Sequence, residues 1–340
     1  MKKINVLVTG AGSGVGQGII KSLQTLKKKV KIFCADINKE NAGLYFNNNG
    51  LIIPKVESKN ALSKFIKIIK NKRIKVIFVG SELELFFFSK NKNFIEKTTK
   101  SIINVSPLKT IIMADDKYKT YNFFIKKKLL FAETFSVENI SQAINICKKI
   151  KFPLFLKSRT GTSSKGVHLI NNYNELKFLF KLIKKPIIQR IAGNRTEEYT
   201  ASVFKTNEGK ILGPFIAKRI LKGGTSWIIN VSHYPLLIKE IMLIAKNVDF
   251  IGSLNIQFQV FKNKIVPFEI NARISGTVAV RSFFGFNEPT MFINNYIFKK
   301  KIILSKIKTG VCFRYNNEIF IKNENLKKIS LKKGLIHKWF

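Results

Sequence analysis

Leu254-Asn255-Ile256-Gln257-Phe258-Gln259-Val260 and, just beyond, Ile265-Val266-Pro267-Phe268-Glu269-Ile270-Asn271 decide how this chain folds. In the first segment Asn255, Gln257 and Gln259 alternate with Ile256, Phe258 and Val260. That period of two gives a strand one polar and one apolar face. Lys262-Asn263-Lys264 reads as a tight turn, with Asn263 suited to a positive φ. A three-residue turn there sets Gln257 opposite Glu269, with Asn271 on the same face as Glu269 and Arg273 just beyond. Three oxygen donors on one face suit a hard cation such as Mg²⁺, which commonly bridges protein carboxylate and nucleotide phosphate. The pattern predicts a metal–nucleotide site in a chain without a Walker loop.

Working back toward the N-terminus, residues 211–220 and 198–204 have strand character, and residues 235–247 read as a helix. Residues 152–157 form an apolar strand entered at Pro153 and closed by Lys157. A lysine at such a strand end can neutralise a phosphate. Thr160-Gly161-Thr162-Ser163-Ser164-Lys165-Gly166 follows, rich in small side chains and backbone N–H groups. Such a loop can wrap an anion, although the same composition also fits an ordinary hairpin loop. It lacks the Gly-Lys-Ser/Thr ending of a P-loop. A strand over 167–170 and a helix over 174–183 come next, and residues 187–190 lead into a new segment. Residues 115–128 read as a helix opened by an acidic residue.

At the N-terminus, residues 4–9 read as a buried strand, and the glycine turn of residues 10–18 leads into a helix through about residue 28. A second strand, 31–35, ends at Asp36. Helix 61–71 and strands 76–79 and 102–105 complete an open parallel α/β unit. The turn Thr9-Gly10-Ala11-Gly12-Ser13-Gly14-Val15-Gly16 admits a dinucleotide phosphate, with Asp36 placed for a ribose hydroxyl. It equally serves tight strand–helix packing alone.

The chain has 340 residues and a formal net charge of +41. Its lysines are spread throughout and no aromatic-interleaved basic module appears, so no dedicated nucleic-acid partner is expected. No apolar run is long enough to span a bilayer, and the one after Lys3 is too short for a signal peptide. Cys34, Cys147 and Cys312 show no metal-ligand spacing and fit a reducing, cytoplasmic setting.

The ordered set resembles the ATP-grasp superfamily, and most closely a single synthetase unit of the carbamoyl phosphate synthetase large subunit. It rests on Val6-Leu7-Val8-Thr9-Gly10-Ala11-Gly12, Asp116-Lys117, Phe152-Pro153-Leu154-Phe155-Leu156-Lys157, the Ser/Gly loop, Glu198-Tyr199-Thr200, Asn255-Ile256-Gln257-Phe258 and Glu269-Ile270-Asn271-Ala272-Arg273. The resemblance implies α/β and α+β architecture: a Rossmann-like pre-ATP-grasp domain over 1–112, then a two-subdomain ATP-grasp fold. The small subdomain would cover 113–187 and the large one 188–303, with a basic C-terminal segment over 304–340. It implies ATP and Mg²⁺ (or Mn²⁺) as cofactors, and Lys117, Lys157, Ser163, Ser164 and Gly166 on the phosphates. Gln189, Arg190 and Ile191 match the adenine hinge, and Glu198 the ribose acid. Gln257, Glu269 and Asn271 match metal ligands, and Arg273 the arginine that steadies an acyl phosphate. Gln189 and Gln257 stand where the family more often has Glu. The implied reaction joins a small-molecule carboxylate to an amine with ADP and phosphate as products, in a family whose members are commonly homodimers.

Two other readings stay open. One is an NAD(P)-dependent oxidoreductase using the glycine turn, against which the lack of a Tyr-x-x-x-Lys pair at Tyr118 or Tyr121 counts. The other is a non-catalytic nucleotide- or polyanion-binding protein.

Overall fold

The computed structural model describes residues 3–161, 166–191, 193 and 197–316. β1 (Ile4–Val8), α1 (Gly14–Leu23), β2 (Val30–Asp36), β3 (Gly50–Ile52), α2 (Ala61–Asn71), β4 (Ile74–Phe78), α3 (Glu82–Thr99) and β5 (Ile102–Asn104) come first. Their strands make one parallel sheet ordered β3-β2-β1-β4-β5. Val6, Leu7, Val8, Val76, Ile77 and Phe78 are buried, as expected of parallel strands covered on both faces. α1 ends at Leu23 and a short 3₁₀ turn follows, so the helix expected through about residue 28 is shorter. α3 escapes the sequence reading because Phe86-Phe87-Phe88 runs apolar around the helix and blurs its period.

α4 (Leu108–Asp115) and α5 (Lys117–Lys126) meet at Asp116. Its carboxylate accepts the Tyr118 and Lys119 N–H groups, each at 3.0 Å, and caps α5. The helix expected over 115–128 therefore begins at Lys117. Next come β6 (Thr134–Ser136), α6 (Ile140–Ile150), β7 (Leu154–Ser158), β8 (Val167–Ile170), α7 (Tyr173–Phe180) and β9 (Pro186–Arg190). The antiparallel sheet β6-β9-β7-β8 has its own apolar core. β9 belongs to it, so this unit continues past the boundary expected at residue 187.

β10 (Glu198–Lys205), β11 (Ile211–Lys222), β12 (Thr225–Val231), α8 (Pro235–Asn247), β13 (Gly252–Phe261), β14 (Lys264–Asn271), α9 (Val278–Phe283), α10 (Glu288–Phe292) and β15 (Gly310–Phe313) complete the described chain. The large antiparallel sheet runs β14-β13-β10-β11-β12-β15. β15 pairs with β12, so part of the segment expected as a basic tail is an edge strand of this sheet. The rest of that segment, 317–340, lies outside the described residues.

The hairpin that opened the reading is built differently from the expectation, with the same outcome. Lys262 and Asn263 both have positive φ, 48° and 60°, which makes a two-residue turn pairing Phe261 with Lys264. That register alone would set Gln257 opposite Phe268. A bulge between Gln257 and Phe258 shifts the pairing and brings Glu269 opposite Gln257. Pro267, with no N–H to donate, sits at the shift on an edge strand, where its loss is tolerated.

Arg281 is 1% exposed and Glu288 0%, bonded at 2.7 and 3.0 Å. Arg281 also donates to Ser275 and Thr277, and Glu288 accepts from Ser202 on β10. Arg281 is thus a structural clamp on residues 275–277. Glu288→Ala strands its charge and should cost about 3–5 kcal/mol, read by urea unfolding. An apolar pair of matched volume at both positions should be far milder.

Candidate active site

A cleft of about 660 Å³ lies between the glycine turn and the β13–β14 hairpin. Gln257, Glu269 and Arg273 line it, with Thr160 and Gly161. Ser13, Gly14 and Val15, at the start of α1, line the other side. Beside it is a water-sized space of about 30 Å³ bounded by Asp115, Lys117, Glu269, Asn271 and Arg273.

Gln257 Nε2 and Asn271 Nδ2 donate to Glu269 Oε1 at 3.1 and 2.8 Å. Two of the expected ligands therefore converge on a carboxylate oxygen of the third. Among the described residues no group of three His, Cys, Asp or Glu is placed to hold a metal. This set instead offers one carboxylate and two amides, hard oxygen donors that fit Mg²⁺ when nucleotide phosphates complete the shell. Turning the Asn271 amide about its last torsion presents oxygen in place of nitrogen, whereas Gln257 Oε1 already accepts from Arg219 and would have to leave it to meet a metal.

Lys157, at the end of β7, is buried, and its ammonium donates to Gln189 Oε1 at 2.7 Å. The rings of Phe155 and Phe268 lie 4.7 and 5.3 Å from Nζ. Burial pushes this ammonium down to about 8, with Glu269 opposing, Lys117 adding to the fall, and Glu198 opposing. Lys117 is buried at the start of α5 and donates to the Gly161 carbonyl at 2.8 Å. Burial raises the Asp115 carboxyl, with Lys117 opposing.

Gln189 is fully buried, and its side chain spans Lys157, Thr134 and the Phe268 carbonyl. Arg190 ends β9 and pairs with Glu133 at 2.8 Å, and Ile191 follows it. The Gly166 carbonyl accepts from the Ser158 N–H at 3.2 Å. Ser163 and Ser164 lie outside the described residues. Glu198 starts β10 opposite Arg219 of β11, whose guanidinium bonds Glu198 Oε1 and, at 2.6 Å, Gln257 Oε1.

Arg273 pairs with Glu82 at the start of α3. Glu82 and Arg314 both line the cleft and were missed in the sequence. Arg314 follows β15 and donates to the Gly276 carbonyl at 2.5 Å. Its Nε is buried without a hydrogen-bond partner, and among the described residues no carboxylate pairs with it. Burial lowers its pKa from the ordinary value. No local signal marks one arginine among so many basic residues.

Asp36 braces the glycine turn: it accepts from Gly12 N at 2.7 Å, Asn41 Nδ2 at 2.6 Å and Asn38 N at 3.2 Å. Asn41 fills the space beside Gly12, 2.3 Å from where a Cβ would stand. Both oxygens expected to hold a dinucleotide ribose are already engaged.

Residues 6–103 match the family described as PylC-like, N-terminal domain. The carbamoyl phosphate synthase large chain of Helicobacter pylori is 24% identical over 191 residues, covering 51% of this chain and 17% of that one. Of the first curated relative it matches, the chain spans 49%. Carboxyaminoimidazole ribonucleotide synthase of Aspergillus clavatus, solved with ATP, superposes with a TM-score of 0.73 at 13% identity, covering 91% of this chain and 81% of that one. The L-amino acid ligase of Bacillus licheniformis gives 0.67 at 14% identity, covering 87% and 74%. The chain thus has the ATP-grasp fold, with a PylC-like N-terminal domain.

Proposed function

We propose that this chain is an ATP-dependent ligase that activates a carboxylate as an acyl phosphate and joins it to an amine. Lys157 carries the proposal: a buried ammonium whose bonded partner is a neutral amide. Such a cation calls for an anion, and a polyphosphate held by Lys157 and Lys117 answers it. The names of the similar proteins, a carbamoyl phosphate synthase, a ribonucleotide synthase crystallised with ATP and an amino acid ligase, support the class. The free thiols, with Cys34 and Cys147 buried, support a cytoplasmic setting.

Adenine would border Gln189, Arg190 and Ile191. Arg219 takes only Oε1 of Glu198, and Oε2 would receive the ribose. The substrate carboxylate attacks the γ-phosphorus, and the bond to the ADP oxygen breaks. The amine nitrogen then attacks the acyl carbon, the C–O bond to phosphate breaks, and the amine loses a proton. Lys157 and Lys117 hold phosphate oxygens in place, since phosphoryl transfer needs mainly positioning and charge neutralisation. Arg273, braced by Glu82, would steady the carboxylate and then the acyl phosphate, and Arg314 offers it a second guanidinium. Mg²⁺ or Mn²⁺ on Glu269 and the oxygens of Gln257 and Asn271 would neutralise charge on the transferring phosphate.

The test is Mg²⁺-dependent ADP release across a matrix of carboxylates and amines, including bicarbonate with ammonia. Release should require one specific pair, and Glu269→Ala should lower it about a hundredfold or more. Full turnover by that variant would sink the metal assignment, and nucleotide binding without turnover by any pair would favour a non-catalytic protein.

Only protonated Lys157 attracts phosphate. MgATP affinity should therefore be full at low pH and fall as pH rises through about 8. Lys157→Arg keeps its charge and should flatten that fall, followed by nucleotide titration over roughly pH 6–10. Arg314→Gln should raise the carboxylate KM about tenfold and leave MgATP affinity unchanged.

A further inference from the structure

Behind the glycine turn lies a second cavity of about 210 Å³ that the proposed reaction does not use. Three carboxylates line it, from Asp36, Glu57 and Glu84, against one lysine, Lys55. The chain has 61 Lys and Arg and only 20 Asp and Glu, so three acids around one small cavity is a marked concentration. Glu84 is 5% exposed, and its Oε2 is buried with no hydrogen-bond partner. Burial pushes its carboxyl up to about 7; the Thr9 hydroxyl and the Ser81 backbone oppose this, and Asp36 and Glu57 add to it. A buried carboxyl with one oxygen left without a partner in an acidic field wants a cation or a donor.

The chemistry of the lining narrows what fits. Among the described residues no three carboxylates are placed to ligate one metal ion. The volume far exceeds the ~30 Å³ share of a single water. Ile37, Val56 and Leu83 add apolar wall beside the acids. Asp36 is occupied by the turn it braces and contributes its field, Glu57 stands exposed at the rim, and Glu84 is the buried acid with an unpartnered oxygen.

We propose that this cavity is a subsite for a primary ammonium on a short aliphatic stem, with Glu84 its buried anchor. Ser13, Ser81 and Leu83 line both this cavity and the main cleft, so the two adjoin. α3 carries Glu84, and its first residue, Glu82, braces Arg273 in the cleft. Resting on the ligase reading, the subsite seats the amine substrate; ammonium binding itself needs no turnover.

Isothermal titration of the full chain with propylamine and 1,4-diaminobutane, against 1-propanol and 1,4-butanediol at matched ionic strength and about pH 8, tests it. The amines should bind at least about tenfold tighter than the alcohols, and Glu84→Gln should cut amine affinity about tenfold. Equal affinity for amines and alcohols, no amine binding, or unchanged binding by Glu84→Gln overturns the proposal. If circular dichroism shows that variant unfolded, Glu57→Gln, on the exposed rim, should weaken amine binding about threefold by loss of field, and no change there also overturns it. MgATP affinity is measured in parallel and should not move in either variant. Absence of MgATP binding by the wild-type chain sinks the ligase reading alone, so the two fail separately.

Discussion

One extra residue in an edge strand sets the chemistry of the cleft. Side chains alternate along a strand, so a slip of one position exchanges every residue between its faces. The two-residue turn at Lys262-Asn263 would align Phe268 with Gln257, and the bulge replaces it with Glu269. The displaced Phe268 is then free to serve the neighbouring sheet. Its ring lies near the Lys157 ammonium and its carbonyl accepts from Gln189, which in turn holds Lys157. The bulge thus aims Glu269 at the cleft and helps seat the lysine whose charge it meets.

Two buried cations show how structure separates support from chemistry. Arg281 has a carboxylate and two hydroxyls around its guanidinium, and its charge is satisfied. Lys157 has an amide oxygen and two aromatic rings. The first is a clamp whose removal should be felt in stability. The second is held desolvated near Lys117 and Glu269, and burial brings its pKa down to about 8. Arg219 and Arg273 fall between, each paired with a glutamate that also aims it into the cleft.

The N-terminal glycine turn serves the site through packing. Gly10 has a φ of +56° and backs directly on Ser81, so the turn is pressed against the end of β4 and the start of α3. Asp36 closes the turn from the other side. The start of α1 is thereby fixed as one wall of the cleft, opposite the hairpin. A single apolar cluster running from Val6 and Ile19 to Phe215, Ile274 and Phe292 holds that wall and the large sheet together.

Periodicity and turn chemistry made much of this legible. Alternation in residues 254–260 predicts β13, helix 61–71 is present as read, and the order of short motifs points to the fold. A three-residue turn predicts the pairing of Gln257 with Glu269; the chain has a two-residue turn and a bulge that offset each other and give the same pair. α3 was hidden because consecutive phenylalanines carry no helical period. The sequence by itself determined which segments become strands and helices and which residue types are at hand, since those depend on neighbours a few positions away. Only the tertiary structure decided that Arg273 meets Glu82, that Asp36 is spent on the turn, and that β15 delivers Arg314 beside Gly276. Those pairings join distant parts of the chain, and packing of whole sheets, not local pattern, brings them within bonding distance.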